Sequence, residues 1–338
     1  MLAKLDIRFR SRIRTFSMAP LVTIVTPSFN QGRFLRKTIE SVLAQDYSPI
    51  EYMVMDGGST DETLEVLKRY GQRFSWVSER DRGQANAINK GWRRSQGEIL
   101  AWLNSDDFYL PGAVSKAVAF LQDHPEAAAV YGEGFHVDAE EQIIERYPTE
   151  PFDLQRLYEF CFICQPTVFI RRMVLEDVGL LDERLNFCMD YDFWFRIAKK
   201  HTFRYMKEPL ACTRFYESTK TIEKRIDAHK EILAVVFRHF GSVPPSWAYG
   251  YAYAKIAPYF DRPPNFRNPF LLGGIAFLIC SVFLKYNHRA FLAEGKRWGF
   301  WFCRNFHLPF FQPPLGPMGV YGLRRSLSKS YFRFGEKE

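Results

Sequence analysis

The feature that most constrains this chain is an apolar run that recurs and ends each time in polar or acidic residues. Leu21–Thr26 reads LVTIVT, β-branched and apolar throughout, as a strand buried on both faces does. Pro27-Ser28-Phe29-Asn30-Gln31-Gly32 breaks it, and Phe34 to Ala44 then carries apolar residues at helical spacing. The cycle repeats. Tyr52–Met55 ends in Asp56-Gly57-Gly58-Ser59-Thr60-Asp61, and Leu64, Val66 and Leu67 follow on a helix. Phe74–Val77 is a third strand and Ala85–Trp92 a third helix. Ile99–Leu103 is a fourth strand, closing on Asn104-Ser105-Asp106-Asp107, and helical pattern resumes after Pro111. Alternation of this kind predicts an α/β fold, a mostly parallel sheet flanked by helices. Ligands bind such sheets beyond the carboxyl ends of the strands, where Asn30, Asp56, Asp106 and Asp107 fall.

Further along, residues 126–150 predict short strands and a hairpin. A strand near Thr167–Ile170, a helix near Tyr191–Lys199 and a strand near Arg204–Met206 complete the domain. Three segments result: a basic arm over 1–20, a catalytic domain over 21–235 and an extension over 236–338. Charge divides the same way. The arm has five basic residues and one acidic, the middle 27 and 33, and the extension 14 and four, so the formal +8 resides at the ends. A basic end suits an anionic surface, either a phospholipid membrane or a nucleic acid. No nucleic-acid module is present, and phosphate binding alone does not explain the uncharged run Phe270–Leu284. Fifteen residues fall short of the roughly 20 that a spanning helix needs. The run is followed by Lys285, His288 and Arg289, and later by Trp298-Gly299-Phe300-Trp301-Phe302 beside Lys296, Arg297 and Arg304. Interleaved aromatic and basic residues predict attachment at a membrane interface; packing on the protein itself and a full span are the alternatives.

The start is basic without an apolar core, unlike a secretory signal, and the six cysteines have no framework spacing. A reducing, cytoplasmic setting with structural thiols is the expectation.

Two adjacent carboxylates at a strand end are costly unless a positive charge neutralises them. A divalent cation on a diphosphate would do this, and Mg²⁺ or Mn²⁺ prefers such hard oxygen ligands. A solvated turn with a capping Asp is the plain alternative. Asp56 at a neighbouring strand end favours the functional reading, with Asp56 bonding a base or ribose.

Five segments occur in order: VTPSFNQGRFL, MDGGSTDET, DRGQANAINKG, GEILAWLNSDD and MDYDFWFRIA. Together, over roughly residues 20–220, they resemble the successive motifs of glycosyltransferase family 2, enzymes of the GT-A fold. The resemblance implies an inverting transfer of sugar from a nucleotide diphosphate to a saccharide or lipid-linked acceptor, as in cell-surface polysaccharide synthesis. It implies that Thr26, Pro27 and Asn30 line the nucleotide pocket and that Asp56 contacts the base. Asp106 would approach the ribose or metal, Asp107 would hold the metal, and Arg82, Asn89 and Lys90 would border the donor. Asp190 matches the catalytic base, with Met189 where relatives often carry Glu and with Asp192 as the competing carboxylate. Gln165 resembles the acceptor side, and Arg214 and Lys220 lie in a late segment that folds over the donor. Two other classes stand as rivals: a scaffold without catalysis, and a nucleotidyltransferase, which would carry a basic loop where PSFNQG stands.

Overall fold

A computed structural model describes residues 19–216, 219–256, 259, 269–288, 295, 298 and 299. The first half follows the expected alternation: β1 (Val22–Ser28), α1 (Gly32–Leu43), β2 (Ile50–Asp56), α2 (Thr63–Arg69), β3 (Ser75–Ser78), α3 (Gln84–Arg94) and β4 (Ile99–Trp102). Every residue of β1 is buried, which is why its sequence is uninterrupted by charge. β1 lies between β2 and β4, and β2 pairs with β3, all parallel.

The second half is mixed. β5 (Phe108–Tyr109), α4 (Ala113–Asp123), β6 (Ala127–Val137), β7 (Ile143–Arg146), α5 (Leu154–Glu159), β8 (Phe169–Arg171), α6 (Val174–Val178), α7 (Met189–Ala198) and β9 (Thr202–Arg214) follow. The expected hairpin is β6–β7, with Phe135 opposite Arg146. β8 runs antiparallel to both β4 and β6, β6 is parallel to β9, and β9 is antiparallel to β5. The sheet order is β3-β2-β1-β4-β8-β6-β9-β5. Parallel pairing thus holds across the first four strands, and the sheet as a whole is mixed.

Strand alternation sends side chains to two cores. Val25, Trp102, Trp92 of α3 and the aromatic helix α7 form one; Val22, Ile24, α1, α2 and α4 form the other. Gly91 permits α3 to sit on β1, since a Cβ there would meet Val25 Cγ1 at 2.7 Å. Trp102 stacks on Trp194, centroids 5.4 Å apart, locking α7 under the end of β4.

After β9 come α8 (Lys220–Glu223), α9 (Arg225–Phe240), α10 (Pro245–Ile256) and α11 (Pro269–Asn287). The boundary drawn after residue 235 falls inside α9. The uncharged run lies in α11, whose Ile275, Ile279 and Val282 pack with Leu233, Val243, Ala248 and Ala252. Asn287 fixes the junction by bonding both the N–H and the C=O of Val243, each at 2.9 Å. Phe277 and Leu284 are exposed on the opposite side of α11. No helix among the described residues is long and apolar enough to cross a membrane. Most of the later aromatic and basic cluster, Phe300, Trp301, Phe302 and Arg304 included, lies outside the described residues. No disulfide occurs among the described residues, where five cysteines are free thiols.

Candidate active site

The three polar strand ends meet through their loops. Asn30, with φ +52°, accepts from Thr60 N–H at 2.9 Å, and its own N–H donates to Ser59 Oγ at 2.7 Å. Asp61 accepts from the N–H of Gly32 at 2.9 Å and of Thr63 at 3.0 Å, so one carboxylate receives the starts of α1 and α2. Gly58, with φ +83°, makes the turn that brings Ser59 N–H back to Asp56 Oδ2 at 3.0 Å.

Asp56 is buried and already accepts from Gly58 N–H, Ser59 N–H, Ser59 Oγ and Ser78 Oγ. These bonds make it the keystone of the loop as well as a polar floor. Thr26 and Pro27 are buried within β1, and the Thr26 hydroxyl pairs with Tyr52 at 3.1 Å. Thr26 and Pro27 thus stand within the sheet, just before the loop of Asn30.

Asp106 and Asp107 have opposite surroundings. Asp107 is buried, taking Arg214 N–H on Oδ1 at 3.0 Å and Asn104 Nδ2 on Oδ2 at 3.1 Å. Asp106 is half-buried, and its Oδ2 accepts from Tyr216 Oη at 3.0 Å. Gln31 Nε2 reaches the same phenol at 3.3 Å. Burial pushes both carboxyls above their ordinary value, and for Asp107 the Asp106 charge adds to the effect. Two crowded carboxylates that resist ionising together, one of them open to the site, suit a divalent cation. No third carboxylate, His or Cys completes a metal cluster among the described residues. Mg²⁺ and Mn²⁺ sites on nucleotides often use one or two carboxylates plus phosphate and water, and this pair fits that pattern. Asp106 is thus the more open carboxylate of the pair and Asp107 the more enclosed.

Asn104 and Gln165, together with Gln84, brace this strand end. Asn104 Oδ1 accepts from Gln84 Nε2 at 2.6 Å, and Asn104 Nδ2 donates to Gln165 Oε1 at 3.1 Å. Gln165 Nε2 also holds Trp102 C=O at 2.9 Å, so Gln165 anchors β4 itself. Gln84 and Tyr216 were missed as site residues because neither carries charge and both arrive from distant segments.

Arg82, Asn89 and Lys90 do not converge on an open site. Arg82 pairs with Glu183, and Asn89 holds Leu181 through both backbone groups at 2.9 and 3.0 Å. Lys90 pairs with Glu79 at 2.8 Å. Arg82 and Asn89 fasten the loop over 181–183 to the start and body of α3, and Lys90 ties α3 to the end of β3. Arg214 is likewise consumed. Its guanidinium donates to Asp106 C=O at 2.8 Å and Glu141 Oε1 at 2.9 Å, and it lies over Phe34 and Phe108. In the late segment expected to fold over the donor, Arg214 is thus a buried strut beneath the acidic pair. Lys220 donates to Asn186 C=O at 2.7 Å, at the loop that leads into α7.

Asp190 stands in the first turn of α7, and its carboxylate accepts from Tyr191 N–H at 2.8 Å. Burial raises its pKa to about 6, a value suited to a base that must be free near neutrality. The Tyr147 phenol is likewise driven well up by burial. Asp192 faces the other way, buried among Arg196 at 2.9 Å, Arg238 at 2.6 Å and His239 at 2.7 Å. Burial alone would raise it, but these three partners outweigh burial and hold it below the ordinary carboxylate value. Asp192 is thus corrected from competing base to structural ion pair. Asp192→Asn should cost about 3 kcal/mol, the low end for breaking a buried pair because Arg238 reaches water. Thermal melting measures the loss; a variant with native stability and no activity would restore Asp192 as the base. His136, His201 and His239 hold structural positions, His136 packed between Tyr147 and Phe215.

Residues 23–179 match the family described as glycosyl transferase family 2. That stretch, just under half of the chain, belongs to glycosyl transferase family 2. An uncharacterized glycosyltransferase of Rickettsia prowazekii is 26% identical over 226 residues, 63% of this chain and 70% of its own length. Chondroitin synthase of Escherichia coli is 25% identical over 220 residues, 64% of this chain, and the match spans only 32% of that relative. In fold, the transferase resembles a mannosyltransferase of Pyrobaculum calidifontis in complex with GDP-Man and Mn²⁺. The TM-score is 0.52 at 19% identity, covering 94% of this chain and 89% of the other. The family 2 transferase has the expected GT-A-like fold, with a curled mixed sheet and a helical C-terminal part.

Proposed function

We propose that this family 2 transferase moves a sugar, with inversion and with a divalent metal, from a nucleotide diphosphate to a saccharide or lipid-linked acceptor. The setting would be surface-polysaccharide synthesis at the cytoplasmic face of a membrane. The observation that carries the reading is the half-open Asp106 carboxylate at the end of β4, against which α7 is held by the stacking of Trp194 on Trp102, with Asp190 in the first turn of α7 and its pKa raised by burial to about 6. A relative named chondroitin synthase supports the polysaccharide setting, and the GDP-Man and Mn²⁺ of the mannosyltransferase support the donor class and the metal.

In this mechanism the loops of Asn30, Asp56 and Ser59 form the floor under the nucleoside, with their hydrogen bonds already made. Asp106 would hold Mg²⁺ or Mn²⁺, which neutralises charge on the departing nucleoside diphosphate when bound. Tyr216 and Gln31 orient the Asp106 carboxylate. Asp107 and Arg214 keep the strand end rigid beneath it. Asp190 accepts the proton of the acceptor hydroxyl, whose oxygen attacks the anomeric carbon as the carbon–phosphate oxygen bond breaks.

A panel of nucleotide sugars with Mn²⁺, scored by release of nucleoside diphosphate, tests the reading. EDTA should stop turnover, and Asp106→Asn should weaken nucleoside diphosphate binding in Mn²⁺ about tenfold, some 1.4 kcal/mol. Calorimetry with and without metal checks this. Full turnover in EDTA would remove the metal from the mechanism, and an inert panel would leave the scaffold reading.

A further inference from the structure

Beside Asp190 lies a cavity that the transfer chemistry above does not use. It has a volume of about 620 Å³ and is lined by Asn186 and Phe187, which lead into α7, and by Lys220, Lys224, Lys230, Asp227 and Glu231. Glu231 is occupied. Its Oε1 accepts from the N–H groups of Asn186, Phe187 and Cys188 at 3.0, 2.7 and 2.9 Å, and its charge acts on Asp190. Lys230 is paired with Asp227 at 2.9 Å. Lys224 has no ionic or hydrogen-bonded partner among the described residues, and Lys220 holds only a backbone carbonyl and the ring of Phe187. The cavity therefore holds three lysines against two carboxylates, one of them paired with Lys230 and the other engaged by backbone N–H groups, so Lys220 and Lys224 are left without a side-chain ion pair of their own.

A second cavity of about 340 Å³ shares Lys230 and runs between α9, α10 and α11. Its walls are apolar, with Leu233, Leu278 and Val282, and Lys255 and Lys285 stand at its rim. The rim lysines lie over Tyr251 and Tyr286. A charged cavity and a greasy one that adjoin at Lys230, both edged by lysine, match an amphiphile with an anionic head and a hydrocarbon chain.

We propose that this pair of cavities binds a lipid-linked acceptor, its phosphate or diphosphate at Lys220 and Lys224 and its chain along the groove of Leu233, Leu278 and Val282. The inference rests on the transferase reading and names its acceptor chemistry. Lysine binds phosphate as a compact point charge with rotatable donors, which suits a head group that must slide as sugar is added. Apolar burial of the chain supplies affinity that the head alone lacks, at about 25 cal/mol per Å². The exposed Phe277 and Leu284 lie on α11 as well, where a bilayer holding the rest of the chain would meet the protein.

The probe is farnesyl diphosphate, titrated by calorimetry into the full chain in EDTA, so that no metal assists diphosphate binding at Asp106. Farnesol and inorganic pyrophosphate serve as its two halves. Farnesyl diphosphate should bind at least tenfold more tightly than either half. Lys220→Gln combined with Lys224→Gln should weaken it about tenfold or more, and Lys255→Gln should weaken it less. Binding of nucleoside diphosphate with Mn²⁺, measured on the same proteins, should be unchanged and reports that each variant is folded. Equal binding of pyrophosphate and farnesyl diphosphate would overturn the lipid groove. Unchanged farnesyl diphosphate binding in the double variant would overturn the head-group site. Retained nucleotide binding alongside either result would leave the transferase reading standing, whereas absence of nucleotide binding in the unaltered chain would count against that reading alone. Preferential binding of anionic phospholipid vesicles over farnesyl diphosphate would replace the acceptor with the bilayer surface and overturn the proposal.

Discussion

Asp190→Asn is expected to lower kcat by about 10²–10⁴, the range that removal of a positioned general base produces. The amide keeps the shape of the carboxylate and can no longer take the acceptor proton. Donor affinity should change little, because Asp190 enters the site from α7 and the donor loops from the other strand ends. The pH dependence is the sharper readout. Burial holds the carboxyl at about 6, above its ordinary value of 3.8, so the base is free only above that point. Activity of the unaltered enzyme should rise with pH through about 6 and level above it. In Asp190→Asn that limb should vanish from the residual rate, and in Asp192→Asn it should remain. A limb that persists in Asp190→Asn would assign the proton to another group. The stability effect has the opposite sign. Between its ordinary value and about 6 the folded chain binds more protons at this group than the unfolded chain, so folding loses stability as pH rises. At neutral pH the variant should therefore melt no lower than the unaltered protein, which separates lost chemistry from lost structure.

What could be read from sequence follows the physics of each element. β1 and β4 were legible because strands buried on both faces tolerate no charge, so their ends stand out as abrupt polar residues. The placing of Asp56, Asp106 and Asp107 at strand ends came from the same contrast, whereas Asp190 came from the resemblance of MDYDFWFRIA to a family motif. β9 was seen only around Arg204–Met206, though it runs Thr202–Arg214. Its polar positions and Pro209 interrupt the apolar pattern, and its pairing with β6 shifts register three times, so the strand exists through a long-range partner. The difference in exposure between Asp106 and Asp107 was not legible either. Neighbours in a turn point apart, and which one faces inward depends on Arg214, 107 residues away. Glu231 left no local signal, since it acts on Asp190 by holding three N–H groups 43–45 residues earlier. The division between Asp190 and Asp192 was legible in part. Residues two apart on a helix face different sides, and α7 sends one to the site and the other to Arg196 and Arg238.

Arg214→Met is expected to destabilise the protein by about 3–5 kcal/mol, as removal of one member of a buried ion pair does. The Arg214 side chain is only 2% exposed, and it ties the acidic turn to the hairpin loop. It donates to Asp106 C=O, Ala139 C=O and Glu141, and it is held between the rings of Phe34 and Phe108. Methionine fills much of the space and supplies none of those donors, so two backbone carbonyls lose their partner in a region water scarcely reaches. The Asp107 carboxylate keeps its bond to the residue 214 N–H, which a side-chain substitution leaves in place. The loss of nearby positive charge should also raise Asp106 further, since Arg214 is among the groups that lower it. For a domain of this size each kcal/mol shifts Tm by roughly 2–4 °C, so a fall on the order of 10 °C should appear in thermal melting. Arg214→Lys should recover only part of it, because an ammonium cannot reproduce the planar fork between two rings. The result separates the two roles this residue could have. A strut gives a large fall in Tm in the apo protein, independent of added nucleotide. A phosphate ligand gives a native Tm with weakened nucleoside diphosphate binding, and that outcome would return Arg214 to the substrate side of the site.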